Sequence, residues 1–256
     1  MRRWWLGLRE RLAIERRAIP DELWRSTLAH FSFLGQRSAA DIEVLRRLSS
    51  LFLDRKEFSG AHGLVVSDAM AVAIAAQACL PILHLGIDAY DGFVGIVVHS
   101  DEVQVRREFV DDDGVVHEFD DVLSGEAMEG GPVMLSWRDV SEAGESSAWG
   151  YNVVVHEFAH VLDMADGVAD GVPPLPSTAE RERWLDVLSR ELECFQQRLN
   201  AGHDTLLDPY GAESLEEFFA VASEAFFVAP HDLRDEHAAL YDLLAGYYRQ
   251  DPGATA

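Results

Sequence analysis

Wound at 3.6 residues per turn, residues 38–54 bring Ile42, Leu45, Leu48, Leu51 and Phe52 onto one stripe. Ser38, three residues before Asp41, supplies the N-cap of that helix. Upstream, Pro20 followed by "DELWRSTLAHFSFL" predicts another helix, with acids in its first turn. Ser67 precedes "DAMAVAIAAQACLPIL", which is apolar nearly all round and ends near Pro81. That pattern predicts a helix buried in a core, because the run is too short to span a bilayer.

The rhythm changes between residues 93 and 136. "FVGIVVH", "EVQVRREFV", "VVHEFDDV" and "GPVMLSW" are short, rich in Val and Phe, and separated by Gly and Asp. They predict strands of a small, mostly antiparallel or mixed sheet, with "DDDG" at 111–114 as a turn. Helical spacing returns over about 151–165, 178–200, 214–228 and 232–249, and 167–177 reads as a loop. No internal repeat is visible. Helices, then strands, then helices predict an α+β fold. A helical segment, 1–60, is expected to pack on a main domain, 61–256, the two forming one structural unit.

Composition narrows the function. The chain has 256 residues, 48% hydrophobic and 26% charged, the profile of a soluble globular protein. Acidic residues outnumber basic ones 45 to 21, a formal charge of −24. Such a surface argues against nucleic acid or anionic membrane as partner, because nothing neutralises a run of phosphates. The exception is "MRRWWLGLRERLAIERR", which reads as an amphipathic basic arm. Its apolar stretch, Trp4 to Leu8, is too short for a signal-peptide core, and no stretch approaches a membrane span. Cys79 and Cys194 form no short-spaced motif. A reducing cytoplasm is the expected setting.

The chemistry sits in "NVVVHEFAHVLDMADG", residues 152–167, where two histidines and a glutamate interrupt an apolar run. Four helical residues advance about 6 Å and rotate about 400°, so His156 and His160 project from one face. Their imidazoles can converge on one zinc ion at about 2.0 Å. Glu157 points roughly 100° away, where it reaches a water and not the metal. That division, two ligands and a general base, is the logic of the H-E-x-x-H motif. The competing reading is two core histidines satisfied by buried partners. A catalytic zinc needs a third protein ligand, and "YGAESLEEFFAVASEAFF" offers Glu217 and Glu224, seven residues apart on one face. Spacing alone leaves the two even.

"HEFAHVLDMADG", "YGAESLEEFFAVASEAFF" and the terminal "YYRQDP" resemble the bacterial Mlc titration factor A peptidases. The stretch from "GVVH" through "LSGEAMEGGPVMLSW" is similar as well. The two helices also resemble those of anthrax lethal factor, whose Y-G, five residues, E-F-F-A pattern is Tyr210, Gly211 and Glu217 to Ala220 here. The resemblance covers most of the chain from about residue 55. It implies a zincin-like metallopeptidase with zinc held by His156, His160 and Glu217, and with Glu157 as base. Tyr210 is implied as a hydrogen-bond donor to the developing oxyanion. Glu224 becomes a supporting acid. His117 aligns near the metal, where it would take the water position at rest; the alternative is a surface residue at a strand end. Asp163 is expected to orient a ligand imidazole. "GPVMLSW" is expected either as a sheet edge for peptide or as an inner strand. The resemblance also implies the repressor Mlc as a partner, so a regulatory binding protein is the rival to a peptidase.

Overall fold

The computed structural model describes residues 2–110, 116–123, 125–128 and 130–254, with backbone alone for 2–8, 103–110, 116–123 and 148. Helices α1 (Arg2–Arg16), α2 (Asp21–His30), α3 (Ser32–Gly35) and α4 (Ala39–Arg55) come first. Strand β1 (Glu57–Gly60) and helix α5 (Asp68–Cys79) follow, then β2 (Gly95–His99), β3 (Val103–Val110), β4 (Val116–Leu123), β5 (Gly125–Ala127) and β6 (Val133–Ser136). The chain finishes in α6 (Trp137–Ser146), α7 (Val153–Asp163), α8 (Thr178–Asn200), α9 (Leu215–Val228), α10 (Pro230–Glu236) and α11 (Ala238–Tyr248). This is a mixed α+β fold, as the pattern predicts. Among the described residues no helix is long and apolar enough to cross a membrane.

Two helices expected to be continuous are broken, each for a tertiary reason. The segment after Pro20 bends at Phe31 (φ −105°, ψ 80°), which lets Phe31, Phe33 and Leu34 all enter the core. The 232–249 helix is interrupted at His237, whose Nδ1 lies 2.8 Å from Glu191 Oε2 in α8. The expected turn at 111–114 lies outside the described residues.

The sheet runs in the order β1-β2-β6-β5. Strands β1, β2 and β6 are parallel, while β5 pairs antiparallel to β6 with Gly125 opposite Leu135. "GPVMLSW" therefore supplies an inner strand, β6, and not an edge. Its last residues leave the sheet because Ser136 caps α6, accepting from Asp139 N. The edge next to α7 is the three-residue β5, too short to show any alternation. Strands β3 and β4 form a separate antiparallel ribbon.

Helix α7 packs between this sheet and α9. Its inner face is fixed by Phe158, fully buried, with ring centroids 5.0 Å from Tyr90, 5.6 Å from Phe52 and 5.8 Å from Phe93. Burying a ring of this kind contributes about 1.5–3 kcal/mol. Helix α9 is buried from Phe218 to Phe227. The two helices carrying the candidate ligands are thus fixed by apolar packing on the faces away from those ligands.

Candidate metal centre

Each helix is started by a side chain that sets where its polar residues point. Asn152 caps α7, its Oδ1 accepting from Val155 N at 2.9 Å. Ser214 caps α9 and accepts from Glu217 N at 3.3 Å, which puts Glu217 in the first turn. In a capping box Glu217 would reach back to the cap. Here its carboxylate turns to the histidines instead.

Three atoms meet there. His156 Nε2 and His160 Nε2 are 3.2 Å apart, and Glu217 Oε2 is 3.2 Å from the first and 3.3 Å from the second. Neither approach to Glu217 Oε2 has hydrogen-bond geometry. Three lone-pair atoms facing one another would repel unless a proton or a cation sat among them. Four tetrahedral ligands at zinc's bond lengths of about 2.0 Å lie about 3.3 Å from one another, so this triangle fits one face of such a site. Among the described residues these are the one group of three or more His, Cys, Asp or Glu placed to hold a metal ion. The side chains are 12–18% exposed, sheltered yet reachable by a small molecule.

The remaining expected residues are distributed as follows. Glu157 is buried beside the triangle, and its Oε2 has no hydrogen-bond partner. Burial pushes its carboxyl up to about 7, against the pull of the two imidazoles. Tyr210 lies in a short turn, where its N–H donates to Asp208 Oδ1 at 2.9 Å. Its ring is exposed, with its centroid 6.1 Å from that of His156. His117 lies in β4 opposite Phe109, and its side chain lies outside the described residues.

Asp163 does not orient an imidazole. The helix ends at this residue, and its Oδ2 accepts from Gly171 N at 2.8 Å, tying down the 167–177 loop. Gly171 has φ +74°, and a Cβ there would fall 2.5 Å from Leu215 O, so the loop can press on the start of α9 only with glycine. Orientation of His156 comes from Glu224, whose Oε1 lies 2.8 Å from His156 Nδ1. Glu224 Oε2 accepts from Asn152 N, and Asn152 Nδ2 donates to Gln77 Oε1 at 2.8 Å. The one sign in the sequence of this buried chain through Gln77, Asn152 and Glu224 is a lone Gln in an Ala-rich apolar helix.

The charges are coupled. Burial works to lower the His156 pKa, but the adjacent carboxylates of Glu217 and Glu224 outweigh it and raise it well above the usual value. Burial likewise works to raise Glu217, yet the adjacent ring nitrogens hold it well below the carboxylate range. A metal entering the triangle would have to displace a proton from His156. Partners of ligand imidazoles typically tune metal affinity about 10–100-fold. Glu224→Gln, nearly isosteric, should weaken zinc binding within that range without abolishing it; competition against a chromogenic chelator measures this. Unchanged affinity would show that Glu224 only packs.

The profile of the family described as glucose-regulated metallo-peptidase M90 matches residues 3–249. The chain is similar to Mlc titration factor A of Pectobacterium atrosepticum, 35% identical over 90% of this chain and 87% of that protein. The Edwardsiella ictaluri protein of the same name is 39% identical over 80% of this chain and 78% of its own length. An uncharacterized protein of Synechocystis is 36% identical over 97% and 90%.

Proposed function

We propose a function on the premise that the match over residues 3–249 establishes: the chain belongs to the glucose-regulated metallo-peptidase M90 family. The function is zinc-dependent hydrolysis of peptide bonds by a zincin-like α+β domain. The observation that carries it is the donor triangle of His156, His160 and Glu217 with Glu157 buried at its side. In this reading the 1–60 segment and the 61–256 remainder form one unit, supported by the pairing of β1 with β2. A cytoplasmic setting goes with it, supported by the free thiols of Cys79 and Cys194 and checked by cell fractionation.

His156, His160 and Glu217 are the ligands. Zinc, when bound, supplies a Lewis acid for the scissile carbonyl and lowers the pKa of water. Glu157 takes the proton of the attacking water and returns it to the departing amine nitrogen. The Tyr210 phenol donates a hydrogen bond to the carbonyl oxygen as negative charge develops there. An extended peptide pairs with β5, the sheet edge beside Glu157. On the family resemblance alone, His117 would be a further metal ligand in the resting protein and would have to move to admit water.

Zinc-loaded protein should hydrolyse an unstructured peptide, lose the activity to a chelator and regain it with zinc. His117→Ala should raise the basal rate. Failure of fully loaded protein to cleave any of a broad peptide set would sink the hydrolytic reading, and an unchanged rate in His117→Ala would sink the restraint. The name of the relatives, Mlc titration factor A, favours a second reading in which the chain binds an Mlc-type repressor. Hydrolysis is then secondary to sequestration.

A further inference from the structure

At Gly125, β5 comes against α7 too closely for any side chain. A Cβ built on Gly125 falls 2.4 Å from Glu157 Oε1, 2.6 Å from its Cγ and 2.7 Å from its Cδ. Optimal contact between such atoms begins near 3.5 Å, so a methyl here overlaps by about an ångström. All three atoms belong to one side chain. Something must give way, and the candidates are the strand or the carboxylate.

The strand has little freedom. Gly125 pairs with Leu135 and Ala127 with Val133, and both partners are buried. Side chains alternate along a strand, so Ala127 shares the face of Gly125, and it too is small. The helix backbone is fixed as well, by Phe158 in its aromatic cluster. The Glu157 carboxylate is the movable part, held by packing and with Oε2 unbonded.

We propose that Gly125 is a positioning residue for Glu157. The missing side chain lets the sheet edge lie on the carboxylate and confine it beside the donor triangle. The inference rests on the reading of Glu157 as the base. A glycine needed only for the strand's own backbone would destabilise the fold on substitution, whatever stood at 157. A glycine needed for the carboxylate would spoil catalysis and leave the fold intact, because the far end of Glu157 can swing away.

The test is Gly125→Ala. Misplacing a reacting group by about 1 Å costs roughly 10²-fold in rate. The variant should hold a full complement of zinc, melt like the wild type, and lose about 10²-fold in kcat with KM little changed. In a Glu157→Ala background the same substitution should lower the residual rate no further, since the coupled partner is gone. Wild-type kcat in zinc-loaded Gly125→Ala overturns the proposal. If the single variant fails to fold, Gly125→Ala/Glu157→Ala should fold, and failure of both overturns it too. Crystals of Gly125→Ala give a readout without activity. A carboxylate displaced by about an ångström over an unmoved β5 supports the proposal, and an unmoved carboxylate under a shifted strand refutes it. Should the wild type cleave no peptide, the hydrolytic reading falls while this crystallographic arm still decides the role of Gly125.

Discussion

His156→Ala, His160→Ala and Glu217→Ala should each strip tightly held zinc from the protein. The three donor atoms form a triangle of 3.2–3.3 Å edges, so removing any one leaves two ligands that cannot enclose an ion. The loss should exceed the about 10–100-fold expected when only a partner of a ligand is changed. Comparison with Glu224→Gln is therefore built into the experiment, and elemental analysis after dialysis reads it directly. Zinc retained in Glu217→Ala and lost in Glu224→Gln would mean the two acids have exchanged roles. Acid should produce a graded version of the same loss. The carboxylates of Glu217 and Glu224 raise the His156 pKa well above the usual value, so the metal-free protein should carry a proton there at neutral pH. Zinc needs the neutral ring, so binding releases that proton, and affinity falls as pH falls below the raised pKa. The limit is about tenfold per pH unit for each proton displaced. Proton release in a weakly buffered zinc titration gives the number. No release at neutral pH would show that His156 is already neutral.

Glu157→Gln should keep its zinc and lose about 10²–10⁴-fold in turnover, the usual contribution of a positioned acid–base group. The amide fills nearly the same volume beside Gly125, so neither the fold nor the donor triangle should change. What disappears is a group that can accept and carry a proton. Zinc content together with kcat on a peptide substrate checks both halves. Cleavage at the wild-type rate would place hydrolysis elsewhere or show it to be a contaminant. The same variant separates the two functional readings: a protein acting by repressor binding should hold an Mlc-type repressor as tightly after the Glu157→Gln substitution as before it.

Local order fixed much of this protein in advance. The i, i+4 spacing of His156 and His160 can only point both imidazoles one way once the segment is helical, and the apolar residues around them ensure that it is. The same holds for the caps Ser38, Ser67 and Asn152, whose side chains act on backbone within three residues. Even the pairing of Glu217 and Glu224 on one face follows from 3.6 residues per turn. Which of the two faces the metal does not follow, because it depends on how far α9 slides along α7. The structure seats Glu217 Oε2 against Nε2 of both histidines and Glu224 behind Nδ1 of His156, so Glu217 is the acid placed to hold an ion. The breaks at Phe31 and His237 belong to the same class, since the first is set by burial in the core and the second by Glu191 of α8. Asp163 stands three residues from His160 in sequence, but its carboxylate is taken by the loop returning through Gly171. β5 was invisible as a strand: three residues carry too little alternation to register, and only pairing with β6 makes them one. Periodicity and capping are short-range forces written into neighbouring residues. The donor triangle, the buried chain through Gln77, Asn152 and Glu224, and the contact of Gly125 with Glu157 are decided by the packing of elements far apart in sequence.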